Sequence, residues 1–182
     1  LVVVVGYQKE KVIAEGGSHG GTLKLSFLEN PRYREGAILS LWTARGLFDD
    51  DLLILDADVL CPQPGFERLV RSSHTSCLLV DGTVKDTGEE QMVLGEGSRA
   101  LHITKRPSED LKRRMTLFGE SVGFLKLSKQ GAEILRGLLE EKVNQGTVNI
   151  EHEQVYPDLF RQVPVGFEKV DDLPWTEIDT PE

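Results

Sequence analysis

The sequence is short of the residues that several kinds of chemistry require. Its 182 residues hold two cysteines, Cys61 and Cys77. They form no Cys-x-x-Cys pair and cannot build a disulfide framework, so two reduced core thiols are expected. Four histidines, His19, His74, His102 and His152, have no metal-ligand spacing, and no zinc site is expected. No apolar run approaches the ~20 residues of a membrane span, and the longest, Leu1–Val5, is strand-sized. Aromatic residues make up 7% of the chain, and none interleaves the basic run Lys112-Arg113-Arg114, which reads as a solvated loop and not a nucleic-acid platform. Positive charge is in the minority: 21 Lys and Arg against 30 Asp and Glu leave a net charge of −9. That balance speaks against duplex nucleic acid or an anionic membrane as partner and suits a divalent cation. No targeting segment is present, so a cytoplasmic location is expected.

What remains is a globular composition. A hydrophobic content of 39% over this length is enough for one core, and residues 1–182 read as a single domain. The opening Leu1-Val2-Val3-Val4-Val5 predicts a strand buried on both faces, which rarely begins a protein. The closing Asp179-Thr180-Pro181-Glu182 has the cap and first-turn proline of a helix that does not follow. The expectation is a fragment cut at both ends.

Strand-like and helix-like segments alternate between those ends. Strands are predicted over Leu23–Leu28, Leu52–Leu55, Cys77–Val80, Met92–Leu94, Leu101–Ile103, Ser121–Leu127 and Val165–Val170. Helices are predicted over Gln8–Glu15, Gly36–Arg45, Phe66–Ser72, Lys129–Lys142 and Asp158–Gln162, and the run 16–21 is expected to be a loop. This order argues for an α/β layered sheet, with hairpin strands making it mixed.

Ligands of open α/β sheets lie beyond the carboxyl ends of the strands. Leu52–Leu55 delivers Asp56-Ala57-Asp58 to such an end, and alternation turns both carboxylates to one side. They suit Mg²⁺, or they cap a turn. Asp179 lies between a strand-like stretch and a helix start, as a second metal acid or as an N-terminal cap. Gly119-Glu120-Ser121-Val122-Gly123 reads as close backbone approach to a ligand or as a bulged strand. Lys105 is a phosphate contact or a solvated lysine. Gly16-Gly17-Ser18-His19-Gly20 matches a nucleophile-elbow pattern by letter but not by context, so Ser18 is expected to be an ordinary loop residue.

Taken in order, several stretches resemble the MobA-like and sugar-phosphate nucleotidyltransferase superfamily. They are Val2–Gly6-Tyr7, Asn30-Pro31-Arg32-Tyr33, Ala37-Ile38-Leu39-Ser40-Leu41-Trp42, Leu55–Asp58, Leu78-Leu79-Val80-Asp81, Glu89-Glu90, Lys105, Gly119–Gly123, Glu153 and Trp175-Thr176-Glu177-Ile178-Asp179-Thr180-Pro181. Within it the chain is similar to the small enzymes that use CTP to activate phosphocholine, inositol phosphate or aminoethylphosphonate. The resemblance implies a three-layer, Rossmann-like, GT-A-type mixed sheet with helices on both faces. It implies Asp58 and Asp179 as Mg²⁺ ligands and Lys105 as a contact to substrate phosphate, these three forming the catalytic set. Glu120 would lie near the substrate pocket, and Ser40 and Ala37 near the nucleotide, although many relatives have Asn where Ala37 stands. Asp56 is the second choice beside Asp58. The implied partners are a nucleoside triphosphate, CTP favoured, and a small phosphorylated acceptor, a sugar phosphate included. The acceptor's phosphate oxygen would attack the α-phosphorus, and pyrophosphate would leave. The superfamily's opening strand, Gly-rich loop and Pro-Lys pair have no counterpart here. Two other readings stay open: a GT-A glycosyltransferase with Asp56-Ala57-Asp58 as its metal motif, and an inactive truncated domain.

Overall fold

A computed structural model of the chain describes residues 1–19, 22–83 and 87–178. In chain order its elements are β1 (Val2–Val5), α1 (Lys9–His19), β2 (Ser26–Glu29), α2 (Ile38–Thr43), β3 (Leu52–Leu55), β4 (Val59–Leu60), α3 (Gln63–Arg71), β5 (Cys77–Asp81), β6 (Met92–Glu96), β7 (Arg99–Thr104), α4 (Glu109–Arg114), β8 (Thr116–Leu127), α5 (Lys129–Asn144), α6 (Tyr156–Gln162), β9 (Val165–Lys169) and β10 (Thr176–Glu177). Short 3₁₀ turns occupy Arg45–Leu47 and His152–Val155.

Six strands form the main sheet in the order β3-β8-β5-β9-β7-β6, with a further β8–β6 pairing. β5 and β9 run parallel, and the other pairings of this sheet are antiparallel. Strand alternation divides the core in two. Leu78 and Val80 of β5, with Leu125 and Leu127 of β8, join Ile38, Leu39, Leu135, Leu139, Leu159 and Phe160 in the larger cluster, under α2, α5 and α6. Cys77, Leu79, Val122 and Phe124 point the other way and pack with Leu69 of α3 and Val170. Helices therefore cover both faces of a mixed sheet, the three-layer α/β architecture expected from the sequence. Both cysteines are free, Cys77 buried and Cys61 half-buried. Among the described residues no helix is long and apolar enough to cross a membrane.

Three local expectations are corrected. The four-valine strand is not buried on both faces. β1 pairs in parallel with β2 alone, and only Val5 is buried while Leu1 and Val2 are 60% and 39% exposed. The described part of the run 16–21 is not a loop, because α1 continues through Gly16, Gly17 and Ser18 to His19. A Cβ on Gly16 would come within 2.9 Å of the Phe27 ring, so the missing side chain lets helix and strand pack closely. The Ser18 hydroxyl donates to the Ala14 carbonyl at 2.9 Å, an ordinary helix back-bond. Lys112-Arg113-Arg114 is the last turn of α4, not a loop. Ser108 caps that helix by accepting from the Leu111 N–H at 3.2 Å, and the basic residues sit at the negative end of its dipole.

Candidate active site

A cavity of about 550 Å³ opens where β3 ends. The Asp56 N–H donates to the Gly123 carbonyl at 3.2 Å, which carries the β3–β8 ladder one residue further. The chain then turns through Ala57 and Asp58 and returns as β4, whose antiparallel partner is β10, with Glu177 opposite Val59. Asp56, Asp58, Lys105, Glu120, Ser40 and Ala37 all line this cavity. They come from the β3 end, the β7 end, the middle of β8 and the start of α2. Asp179 lies outside the described residues. Its neighbour Ile178 donates its N–H to the Asp58 carbonyl at 2.9 Å.

The two glycines of Gly119-Glu120-Ser121-Val122-Gly123 have positive φ, +140° and +77°. The β8 register shifts at both places, against β6 beside Gly119 and against β5 beside Gly123. A Cβ on Gly119 would lie 2.0 Å from the Asp81 carbonyl oxygen, and one on Gly123 would lie 2.4 Å from Asp56 Oδ2. The stretch is thus a bulged strand, and the close approach is to the chain's own Asp81 backbone and Asp56 carboxylate. The bulges leave Glu120 facing the cavity beside them.

Asp56 sits among charges. His152 Nε2 lies 3.4 Å from its Oδ1, and His152 Nδ1 lies 3.3 Å from Glu153 Oε2. Burial pushes the Asp56 carboxyl up to about 6; His152 opposes the rise, and the charges of Glu153, Asp58 and Glu177 add to it. Ligand atoms of Asp56, His152 and Glu153 all fall within 4.8 Å of one another, close enough to grip one ion. The His152 ring meets the edge of Tyr156 at 5.5 Å between centroids. Burial, with Glu153 and Asp56 nearby, holds the Tyr156 phenol well above its ordinary range and so neutral.

On the other side of the cavity Lys105 Nζ is 2.9 Å from Glu151 Oε1, and Gln91 Nε2 donates to Glu151 Oε2 at 2.6 Å. The bond to Glu151 raises the Lys105 ammonium above its usual value, so it stays charged. Ser40 is oriented from behind: buried Asn30 donates from Nδ2 to its Oγ at 3.2 Å and accepts the Arg32 N–H on Oδ1 at 2.9 Å. Trp175 donates its indole N–H to buried Asp81 at 2.7 Å, which fastens the segment carrying Glu177 to the end of β5. Of these residues, Asn30, Asp81, Glu153, Trp175 and Glu177 lie in the stretches that resemble the nucleotidyltransferases, without a role assigned by the sequence. His152, Glu151 and Gln91 gave no signal, because His152 meets Asp56, and Glu151 meets Lys105 and Gln91, across long stretches of chain.

No protein-family model matches the sequence, and no curated protein matches it. Solved structures do. The inositol-1-phosphate CTP transferase of T. maritima superposes with a TM-score of 0.72 at 19% identity, over 99% of this chain and 70% of that one. A CTP:phosphocholine cytidylyltransferase of Streptococcus pneumoniae gives 0.73 at 16% identity, over 100% and 73%. A putative glucose-1-phosphate thymidylyltransferase of Bacillus anthracis gives 0.72 at 11% identity, over 97% and 70%. At these identities the likeness is one of fold alone, the α/β fold that these solved transferases share.

Proposed function

We propose that the protein transfers a nucleotidyl group, CMP from CTP, to a small phosphorylated acceptor and releases pyrophosphate. The observation that carries this reading is the convergence of Asp56, Asp58, Lys105 and Glu120 on one cavity at the carboxyl end of β3, in a fold shared with enzymes named for that reaction.

The carboxylates at this corner fit the Mg²⁺ that the fold family implies. Asp56, Asp58, Glu153 and Glu177 lie near enough for the last three to push Asp56 up, so the corner holds more negative charge than His152 offsets. Hard oxygen donors of this kind suit Mg²⁺. Asp58 would hold the ion together with Asp179, whose chain neighbour Ile178 donates its N–H to the Asp58 carbonyl. When bound, Mg²⁺ neutralises phosphate charge and eases the departure of pyrophosphate.

The chain's own residues do the remaining work by positioning. Lys105 is a permanent cation whose Glu151 partner gives way to an acceptor phosphate. Ser40 accepts from Asn30 and so keeps its proton for a nucleotide oxygen. The acceptor's phosphate oxygen forms a bond to the α-phosphorus while the bond to the β-phosphate oxygen breaks. No protein nucleophile takes part.

Pyrophosphate release by the full-length protein tests the reading, with CTP, UTP or GTP and a panel of phosphorylated acceptors. Pyrophosphate formed in step with a nucleoside-diphosphate-linked product is expected. Release of nucleoside diphosphate from a nucleotide sugar, with no pyrophosphate from CTP, would establish a glycosyltransferase instead.

A further inference from the structure

In the transfer reaction proposed here His152 has no task, yet the turn before α6 seats it between two carboxylates. Its Nε2 is 3.4 Å from Asp56 Oδ1, and its Nδ1 is 3.3 Å from Glu153 Oε2. A neutral imidazole carries one N–H and one lone pair, so it can donate to only one of these carboxylates. The other nitrogen turns its lone pair on a carboxylate oxygen, which is repulsive unless a proton or a metal ion stands between them. Both separations exceed the ~2.7–3.2 Å of an N–H···O bond. Ligand atoms held ~2.1 Å from one ion in a tetrahedron stand ~3.4 Å apart, and the Nε2–Oδ1 pair matches that spacing.

Two further observations point to a missing cation. Among the described residues no lysine or arginine pairs with Asp56 or Glu153, and His152 is their only ion-pair partner. The two carboxylate side chains are 24% and 13% exposed, so solvent screens them poorly and leaving them unpaired is costly. From the core side comes Tyr156, which is 3% exposed and whose ring meets that of His152 at 5.5 Å between centroids. The charges of Glu153 and Asp56 act on its phenol, and no described residue hydrogen-bonds the hydroxyl. A phenol so placed can donate to a water on a bound ion.

The donor set selects the kind of ion. Mg²⁺ takes oxygen ligands, whereas an imidazole beside carboxylates suits Zn²⁺ and its neighbours in the transition series. We infer that Asp56, His152 and Glu153 form a second metal site, for a transition-metal dication of the zinc class, distinct from the Mg²⁺ site of Asp58. His152 Nε2 and Asp56 Oδ1 face the ion. Glu153, beside Nδ1, orients the ring and adds its charge, as carboxylates behind metal-bound histidines do. The ion ties the turn before α6 to the end of β3. The histidine spacing in the sequence carries no zinc motif because these ligands come from distant segments.

The test titrates the untagged full-length protein with Co²⁺ alone, a spectroscopic stand-in for Zn²⁺, at about pH 7.5, where an ordinary imidazole is neutral. No nucleotide or acceptor is present. Proton NMR of wild type is expected to show an exchangeable imidazole proton shifted far outside the ordinary range by the paramagnetic ion, a signal that an all-oxygen site does not produce. His152→Gln and Asp56→Asn are each expected to remove that signal and to weaken the site about tenfold or more. Asp58→Asn is expected to keep it, and a large excess of Mg²⁺ to leave it in place. The inference is overturned by the lack of a shifted imidazole proton in wild type, by a signal that survives His152→Gln, or by one that Mg²⁺ or Asp58→Asn abolishes. The wild-type spectrum decides by itself should a variant fail to fold. Because binding is read without turnover, a failed titration leaves nucleotidyl transfer standing, and a failed transfer assay leaves this site standing.

Discussion

Gly123 and Asp56 compete for one volume. The glycine's positive φ and bare Cα let the Asp56 carboxylate lie where a Cβ would be, 2.4 Å from Oδ2. The same contact turns Asp56 toward His152 and the cavity. Gly123→Ala therefore combines a left-handed strain of ~1 kcal/mol with the displacement of a site carboxylate. A lowered melting temperature and a fall in turnover larger than that of a remote destabilising variant are expected. Thermal unfolding and pyrophosphate release on the same preparation check this. Unchanged turnover would show that the position of Asp56 does not matter.

Asp56 gives the protein a pH-dependent stability. Its folded pKa of about 6 lies above the ordinary 3.8. A raised carboxyl favours folding while it is protonated. That contribution is complete below pH 3.8 and is lost as pH rises through 6. Over this interval wild type loses ~3 kcal/mol relative to Asp56→Asn, which stays neutral. Denaturant melts in chelator at pH 4, 5, 6 and 7 measure the difference. Parallel curves for the two proteins would remove the burial argument.

The Trp175 indole holds the tail against the main sheet through Asp81, a residue only 7% exposed. Trp175→Phe leaves Asp81 Oδ2 without that donor at a cost of ~1–2 kcal/mol. The β4–β10 pairing loosens with it. Hydrogen exchange is expected to quicken at Val59, Leu60 and Ile178 while Leu78 and Leu125, in the core, stay protected. Uniform protection in the variant would assign the tail's hold to other contacts.

Much of the fold was legible because its buried strands and longest helix obey simple periodicities. Leu52–Leu55 matched its observed bounds, and Cys77–Val80 and Lys129–Lys142 fell within two residues of theirs. Ser128 caps that helix, its side chain accepting from the Gly131 N–H three residues on. Errors came where tertiary contact outweighed local preference. Gly16 and Gly17 read as a loop by propensity, yet Gly16 against Phe27 keeps α1 intact. β4 and β10 are two residues each and exist only as each other's partner. In the site, the Asp and Lys positions could be carried over by resemblance to known enzymes. The contact of His152 with Asp56 could not, since no local spacing records a contact between segments so far apart in the chain.

Lys105 is expected to act on the acceptor and not on the nucleotide, since it stands in the wall between this cavity and a second, of about 540 Å³, that adjoins it. Lys105→Ala should raise the acceptor KM on the order of 10-fold or more with a smaller change for CTP, as loss of a charge-assisted phosphate contact does. Equal effects on both substrates would place Lys105 on the nucleotide.

The most direct test of nucleotidyl transfer at this cavity is the rate of acceptor-dependent pyrophosphate release from CTP across a Mg²⁺ titration, for the full-length wild type, Asp58→Asn and Asp179→Asn. Losses on the order of 10²-fold or more in both variants, with wild-type circular dichroism, are the expected result. Near-normal turnover in either variant would contradict the shared grip of Asp58 and Asp179 on one cation.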